Sequence, residues 1–349
     1  MKKSIKWKHL FLALTLTFSF TLMATSSVKA ETIRWRMQHP WPPGSLYDKE
    51  TKSFVERVKE ATGGRLQIAM FAAGSLVGMR ESLDAISKGV FEAHMNVPVY
   101  WTGKMPVGTF LSGVPGGINN PSDWWAWYYK RDGIDIAHEA YAKFNVRFIA
   151  PLMCPSNTPI FTTKKHPVRS LAEFKGLKVR GIPGLQSEIL KAVGASPTFI
   201  NAQDVYTSME TGVVDAVSGF TKVGWYKFGI HEIAKYAIEP AFVLPDICLE
   251  FCVGMKAWNK LPDDLKAIFE TVAREWSVTF YSLGTVEDAK AYAAMKKAGI
   301  EVLTLPQDDM KKIKQMSINA ADEFSKRDPL AQKAWSSQKE FLKLIGKFE

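Results

Sequence analysis

Leu171 to Ser218 reads LAEFKGLKVRGIPGLQSEILKAVGASPTFINAQDVYTSMETGVVDAVS. Its apolar runs and breakers predict strand Leu177 to Arg180, a Gly181-Ile-Pro-Gly184 turn and helix Leu185 to Val193. A Gly194-Ala-Ser-Pro197 turn, strand Pro197 to Ile200, helix Ala202 to Thr211 and strand Asp215 to Gly219 follow. Strands alternating with helices belong to a mainly parallel sheet covered by helices. Arg180 ends the first of these strands, and an arginine is a permanently charged fork of five donors. It can grip a small carboxylate through two parallel hydrogen bonds. A binding site for organic acids is therefore expected.

The same logic extends outward. Thr32 to Gln38 alternates as a strand, His39-Pro-Trp-Pro-Pro-Gly44 turns the chain, and Ser45 caps a helix that Gly63-Gly64 ends. Leu66 to Met70 and Ala93 to Val97 read as strands around a helix from Ser82 to Lys88. Trp124, Trp125, Trp127, Tyr128 and Tyr129 crowd one helix after Asn119-Asn120-Pro121, a density that favours core and interface packing over a ligand box. Asn145 to Pro151 reads as a buried strand, and Ser156 to Thr163 as an extended segment crossing between domains. Two further strands are expected at Tyr236 to Leu244 and Ile247 to Gly254. Long amphipathic helices follow from Pro262 to Lys297, from Gln307 to Lys326 and from Leu330. A helix of about 35 residues spans about 50 Å, enough to underlie two domains.

The ends and the charge narrow the function. Lys2, Lys3, Lys6 and Lys8 precede the apolar run Leu10 to Met23, and Val28-Lys29-Ala30 supplies small residues for cleavage. This is the pattern of a secretory signal, cleaved after Ala30, and it implies a periplasmic protein. Formal net charge is +10, but five lysines and no acidic residue lie in those 30 positions, leaving 40 basic against 35 acidic side chains. An interspersed excess that small gives no nucleic-acid footprint. The 319 residues beyond the signal exceed what usually surrounds one core, so two domains are expected. Cys154, Cys248 and Cys252 are odd in number. The last two, four apart on a strand, sit about 13 Å from each other, too far for a disulfide. All three read as buried small hydrophobes.

No G-x-S-x-G elbow, P-loop, H-E-x-x-H or G-x-G-x-x-G motif occurs, and the histidines are scattered. What does occur is Lys175-Gly-Leu-Lys-Val-Arg180, then Gly194-Ala-Ser-Pro197, Asp204-Val-Tyr206 and Gly212-Val-Val-Asp-Ala216 in that order. This series resembles the hallmark of the solute-binding proteins of TRAP transporters. Trp41-Pro-Pro-Gly44, Ser53-Phe-Val-Glu-Arg-Val58, Tyr100-Trp-Thr-Gly-Lys104 and the stretch Asn119 to Trp127 resemble the branch that binds 2-oxo acids and other monocarboxylates.

The resemblance implies a two-lobed α/β periplasmic solute-binding fold, each lobe a mixed, mainly parallel sheet with flanking helices, joined by hinge strands and a spine helix. The first lobe would hold residues 31–155 and about 245–282. The second would hold 156–244 and about 283–349, with the C-terminal helices. It implies a receptor, not an enzyme, that closes on a small organic acid and delivers it to membrane subunits. A periplasmic ligand sensor for a membrane kinase, or less favoured an enzyme on an organic acid, is the alternative. The C-terminal helix has an apolar face for the body or a second subunit, so monomer and homodimer both stay open.

The family's arginine matches Arg180. Where the branch holds a metal with a Glu-Trp pair and a later Glu, this chain has Ser218, Gly219 and Leu244, so neither metal nor cofactor is expected. The branch's crossing-strand Gln falls on Pro159, and Asn157, two residues earlier on the same strand face, is expected to supply an amide instead. Ser218, with Phe220 and Lys222 nearby, would replace the lost ligands. Tyr100 and Trp101 follow a strand end, where open α/β sheets present ligand contacts, and with Trp41 they are the expected aromatic walls.

Overall fold

A computed structural model describes residues 31–155, 157–201, 204–243 and 246–348. The expected signal segment and Leu244 lie outside the described residues. Strands β1 (Ile33–Gln38), β2 (Leu66–Phe71), β3 (Ala93–Asn96), β4 (Val146–Cys154) and β10 (Ile247–Gly254) form one sheet in the order β2-β1-β3-β10-β4. Strands β5 (Ile160–Thr163), β6 (Lys178–Arg180), β7 (Ser196–Thr198), β8 (Ala216–Val217), β9 (Ala234–Glu239) and β11 (Glu301–Thr304) form the other, in the order β11-β9-β5-β8-β6-β7.

Each sheet has one strand that runs against the rest, β10 in the first and β5 in the second. The cause is the path of the chain. It leaves the first sheet at the carboxyl end of β4 and enters the second sheet, at β5, from that same side. It returns from the carboxyl end of β9 into β10 in the same manner. The carboxyl ends of the parallel strands of both lobes therefore face one another across the crossings, the side of an open α/β sheet where ligands bind.

Helices α1 (Leu46–Ala61), α2 (Ser82–Ser87), α3 (Gly108–Ser112), α4 (Pro121–Lys130), α5 (Gly133–Ala142) and α10 (Met255–Trp258) cover the first lobe. Helices α6 (Leu185–Ala192), α7 (Val205–Glu210), α8 (Lys222–Lys227) and α9 (Ile230–Ile233) cover the second. Ser45 caps α1 by accepting the amide of Asp48, as its sequence position predicts.

Two helices span the lobes. α11 (Asp263–Lys297) sets Phe269, Trp276 and Phe280 into the first lobe's core and Met295 into the second's. Between these points Gly284 lets the helix press on the hinge, since a Cβ there would lie 2.7 Å from Pro155 Cγ and 2.8 Å from Tyr47 Oη. α12 (Gln307–Ser325) likewise gives Ile313 to the second lobe and Ala321 and Phe324 to the first.

The final helix, α13 (Pro329–Leu344), departs from the expected division, which placed it with the second lobe. It packs on the first: Trp127 Nε1 donates to Ser337 Oγ at 2.9 Å, and Gln338 Nε2 donates to the Phe110 carbonyl at 2.7 Å. The dense aromatic stripe of α4 is the reason. Trp124, Trp127 and Tyr128 are fully buried and need a cover, which Leu330, Trp335 and Phe341 supply. All three cysteines are buried thiols, and burial pushes those of Cys248 and Cys252 well above their usual range.

Candidate functional site

A cleft of about 720 Å³ opens where the two sets of strand ends meet. Trp41, Met79, Arg80, Tyr100 and Ile247 line it from the first lobe, and Arg180, Ile182, Phe199, Gly219 and Phe220 from the second. Arg180 is only 4% exposed. Its Nε donates to the Ile200 carbonyl at 3.0 Å, and its Nη1 donates to the carbonyls of Ser218 and Gly219, both at 2.9 Å. These bonds tie the ends of β6 and β8 together and fix the guanidinium plane.

Among the described residues no acid partners this arginine. Asp215 faces Lys178 at 3.7 Å and Glu188 faces Lys191 at 3.4 Å, so both local carboxylates are engaged elsewhere. Among the described residues no acceptor meets Nη2. Burial pulls the guanidinium down to about 10, against a smaller upward pull from Tyr100, which leaves it charged at neutral pH. A buried, immobilised cation without a counter-charge among the described residues is suited to take up an anion.

The other expected site residues divide. Tyr100 and Trp41 line the cleft, Trp41 packing on Tyr47 and Phe280. Burial raises the Tyr100 phenol, and the charges of Arg180 and Arg80 work against that rise. Gly219 lines the cleft at φ +83, where a Cβ would lie 2.8 Å from Ile182 Cγ1 and 3.1 Å from Arg180 Nη1. Ser218 stands behind the arginine instead of facing the cleft; its hydroxyl donates to the Arg180 carbonyl at 3.3 Å.

Three further expectations are corrected. Trp101 is 1% exposed and turns into the first lobe's core, where its Nε1 donates to Glu250 at 2.9 Å and its ring stacks on His94. His94 Nε2 is 2.8 Å from the same carboxylate, which also accepts from Tyr141 Oη. Tyr100 and Trp101 are neighbours in a short 3-10 turn, Pro98–Trp101, so their side chains diverge and only one reaches the cleft. Asn157 is exposed on the crossing segment, outside the cleft lining, with its backbone N–H donating to Asp246 Oδ1 and its backbone carbonyl taken by Lys222 Nζ. The parity argument that faced it inward needs a strand, and β5 starts only at Ile160. Lys222 is spent on that carbonyl and lies outside the lining too.

Arg80 and Phe199 were not singled out from sequence. Phe199 directly follows the end of β7, so the strand-end rule reaches it, whereas Arg80 lies nine residues past β2 and no such rule singles it out.

Two lobes, each ending its strands on a shared cleft, with a buried cation and aromatic walls inside, define a solute-binding receptor. The chain belongs to bacterial extracellular solute-binding protein family 7, whose model matches residues 37–328. It is 29% identical over 344 residues to a monocarboxylate 2-oxoacid-binding periplasmic protein of Nostoc sp., covering 95% of this chain and 91% of that protein. It is similar in structure to a TRAP periplasmic solute-binding protein from Pseudoalteromonas atlantica with bound sodium and pyruvate. That match has a TM-score of 0.82 and 26% identity, over 90% of this chain and 95% of the other. A TRAP solute-binding protein from Bordetella bronchiseptica, with calcium and picolinate, matches with a TM-score of 0.81 and 25% identity, over 90% and 93%.

The Pseudoalteromonas structure holds sodium with pyruvate and the Bordetella one calcium with picolinate, and the residues here do not fit a cation. The carbonyl oxygens of Ser218 and Gly219 already accept from Arg180 Nη1, so a metal on them would sit against a guanidinium. Glu81 is the one carboxylate among the described residues of the cleft lining, whereas hard cations need several oxygen ligands.

Proposed function

We propose that this chain is the extracytoplasmic receptor of a TRAP transporter, exported by a signal cleaved after Ala30, and that it closes on a small organic acid without a metal. The carrying observation is Arg180, buried, held by three carbonyls and unpaired with any described acid. The solute's carboxylate takes the free edge of its guanidinium, while Tyr100, Trp41 and Gly219 shape the surroundings. The acid reaches the membrane subunits inside the closed form, which it favours through contacts with both lobes. A receptor is favoured over a catalyst because no histidine lines the described cleft and its one described carboxylate, Glu81, is folded onto Gly78.

A thermal-shift screen of organic acids on the purified protein tests this. An acid at about 100 times its Kd adds about 2.7 kcal/mol of stability, a rise of several degrees in Tm. Arg180→Lys keeps the charge and a donor for the Ser218 and Gly219 carbonyls but loses the fork, and is expected to cut the shift for every acid. An undiminished shift in that variant would remove the arginine from its assigned role.

A further inference from the structure

Inside the first lobe, away from the cleft, lies a fully buried cluster that solute binding does not use. His94 of β3 and Cys252 of β10 are partners across the antiparallel pair, and Glu250 stands two residues before Cys252 on the same strand. A ring nitrogen of His94, a carboxylate oxygen of Glu250 and Cys252 Sγ lie within 4.8 Å of one another. A point no more than about 2.8 Å from all three therefore exists, and zinc bonds to such atoms are about 2.0 to 2.3 Å long. Side-chain shifts of under about 1 Å close that difference.

The hydrogen bonds around His94 decide which of its nitrogens is open. Ser82 has one hydroxyl hydrogen, which goes to the Met79 carbonyl at 3.1 Å, and its oxygen accepts from Asn96 Nδ2 at 2.8 Å. Ser82 Oγ therefore also accepts from His94 Nδ1, 3.0 Å away. A histidine that donates through Nδ1 can offer the lone pair of Nε2, and a donor bond of this kind is how proteins orient a metal-binding imidazole. Nε2 faces Glu250 Oε1 at 2.8 Å yet makes no hydrogen bond, so the oxygen lies off the direction a ring proton would take. A proton shared by the two atoms needs a nearly straight line, whereas a metal ion takes a bent nitrogen–metal–oxygen angle.

The charges lead to the same ion. Among the described residues no lysine or arginine pairs with Glu250, although its carboxylate is fully buried. Trp101 Nε1 and Tyr141 Oη donate to it, and neither is a cation. A divalent ion held by one carboxylate, one thiolate and one neutral imidazole gives a cluster of zero net charge, the form a dry core tolerates.

We propose that His94, Glu250 and Cys252 form a structural zinc site that ties β3 to β10. Nitrogen, oxygen and sulfur donors together suit zinc, whereas magnesium and calcium take oxygen alone. Binding replaces the Sγ–H bond of Cys252 by a sulfur–zinc bond and releases that proton to solvent. Tyr141 Oη, beside Glu250, offers a further oxygen for the fourth position. Because all three ligands are buried, the ion enters as the chain folds. The site is separate from Arg180, and the receptor reading does not depend on it.

Refolding the mature chain from denaturant, chelator and reductant tests the site. It is done with equimolar Zn(II), Co(II), Mg(II) or no metal, and followed by gel filtration and atomic emission. Wild type is expected to retain one zinc per chain, to melt several degrees above the metal-free protein, and to gain nothing from Mg(II). The Co(II) form is expected to show a near-ultraviolet thiolate-to-cobalt charge-transfer band that Cys154→Ala keeps and Cys252→Ala loses. His94→Gln, which can still donate to Ser82, is expected to lose the band as well and serves if Cys252→Ala does not fold. Wild type that retains neither zinc nor cobalt, or retains cobalt without a thiolate band, overturns the site. So does a wild-type band in either variant once circular dichroism shows it folded.

Discussion

A side chain added at Gly219 would have nowhere to go. Its φ of +83 costs an L-residue about 1 to 2 kcal/mol, and the new methyl group would press on Ile182 and on the Nη1 that anchors Arg180. Gly219→Ala is therefore expected to lower Tm by several degrees and to weaken every acid at least tenfold, because the arginine must shift. Acid titrations at wild-type affinity would show that the guanidinium position does not govern binding. At this scale Arg180 was legible because its strand, turn and helix are contiguous in sequence. Trp101 misled because proximity in sequence does not say which of two adjacent turn residues faces out. Arg80 and Phe199 meet only through the fold, across 118 intervening residues, and no local pattern reports that.

Helix α8 owes its start to a neighbour across the fold. Asp288 of α11 accepts the amides of Lys222 and Val223 at 3.1 and 2.8 Å, and Thr221 Oγ1 accepts that of Gly224. Burial nevertheless raises the Asp288 carboxyl from 3.8 to about 6, outweighing those amide bonds and the Lys222 charge. The folded protein then holds this proton more tightly than the unfolded chain does. The associated stability, about 3 kcal/mol, is complete below pH 4 and disappears as pH rises to 6. Asp288→Asn is expected to flatten the fall in Tm between pH 4 and pH 6, and an unchanged slope would assign that fall to other groups. The long helices were legible from their period and caps. The direction of β5 and β10 was not, because it follows from where the chain crosses, and the expected strand through Leu244 stops at Glu239, just before Pro240.

For the whole molecule, the mainly parallel sheets, the crossings and the spine follow from strand–helix alternation and one unusually long periodic run. The seat of α13 does not, since an amphipathic face reads the same whether it covers its own chain or another. Here that face is spent on Trp127 and Phe110, so a dimer through it would have to uncover them. The two spanning helices carry a further consequence, for how the protein comes apart. Loss of the second lobe would strip Met295 and Ile313 of their partners and fray the helices that supply Trp276 and Phe324 to the first. The lobes therefore share one cooperative unit, and scanning calorimetry is expected to record a single transition with equal calorimetric and van't Hoff enthalpies. Two resolved transitions would contradict this. In a molecule that melts as one, a ligand seated on either lobe protects both.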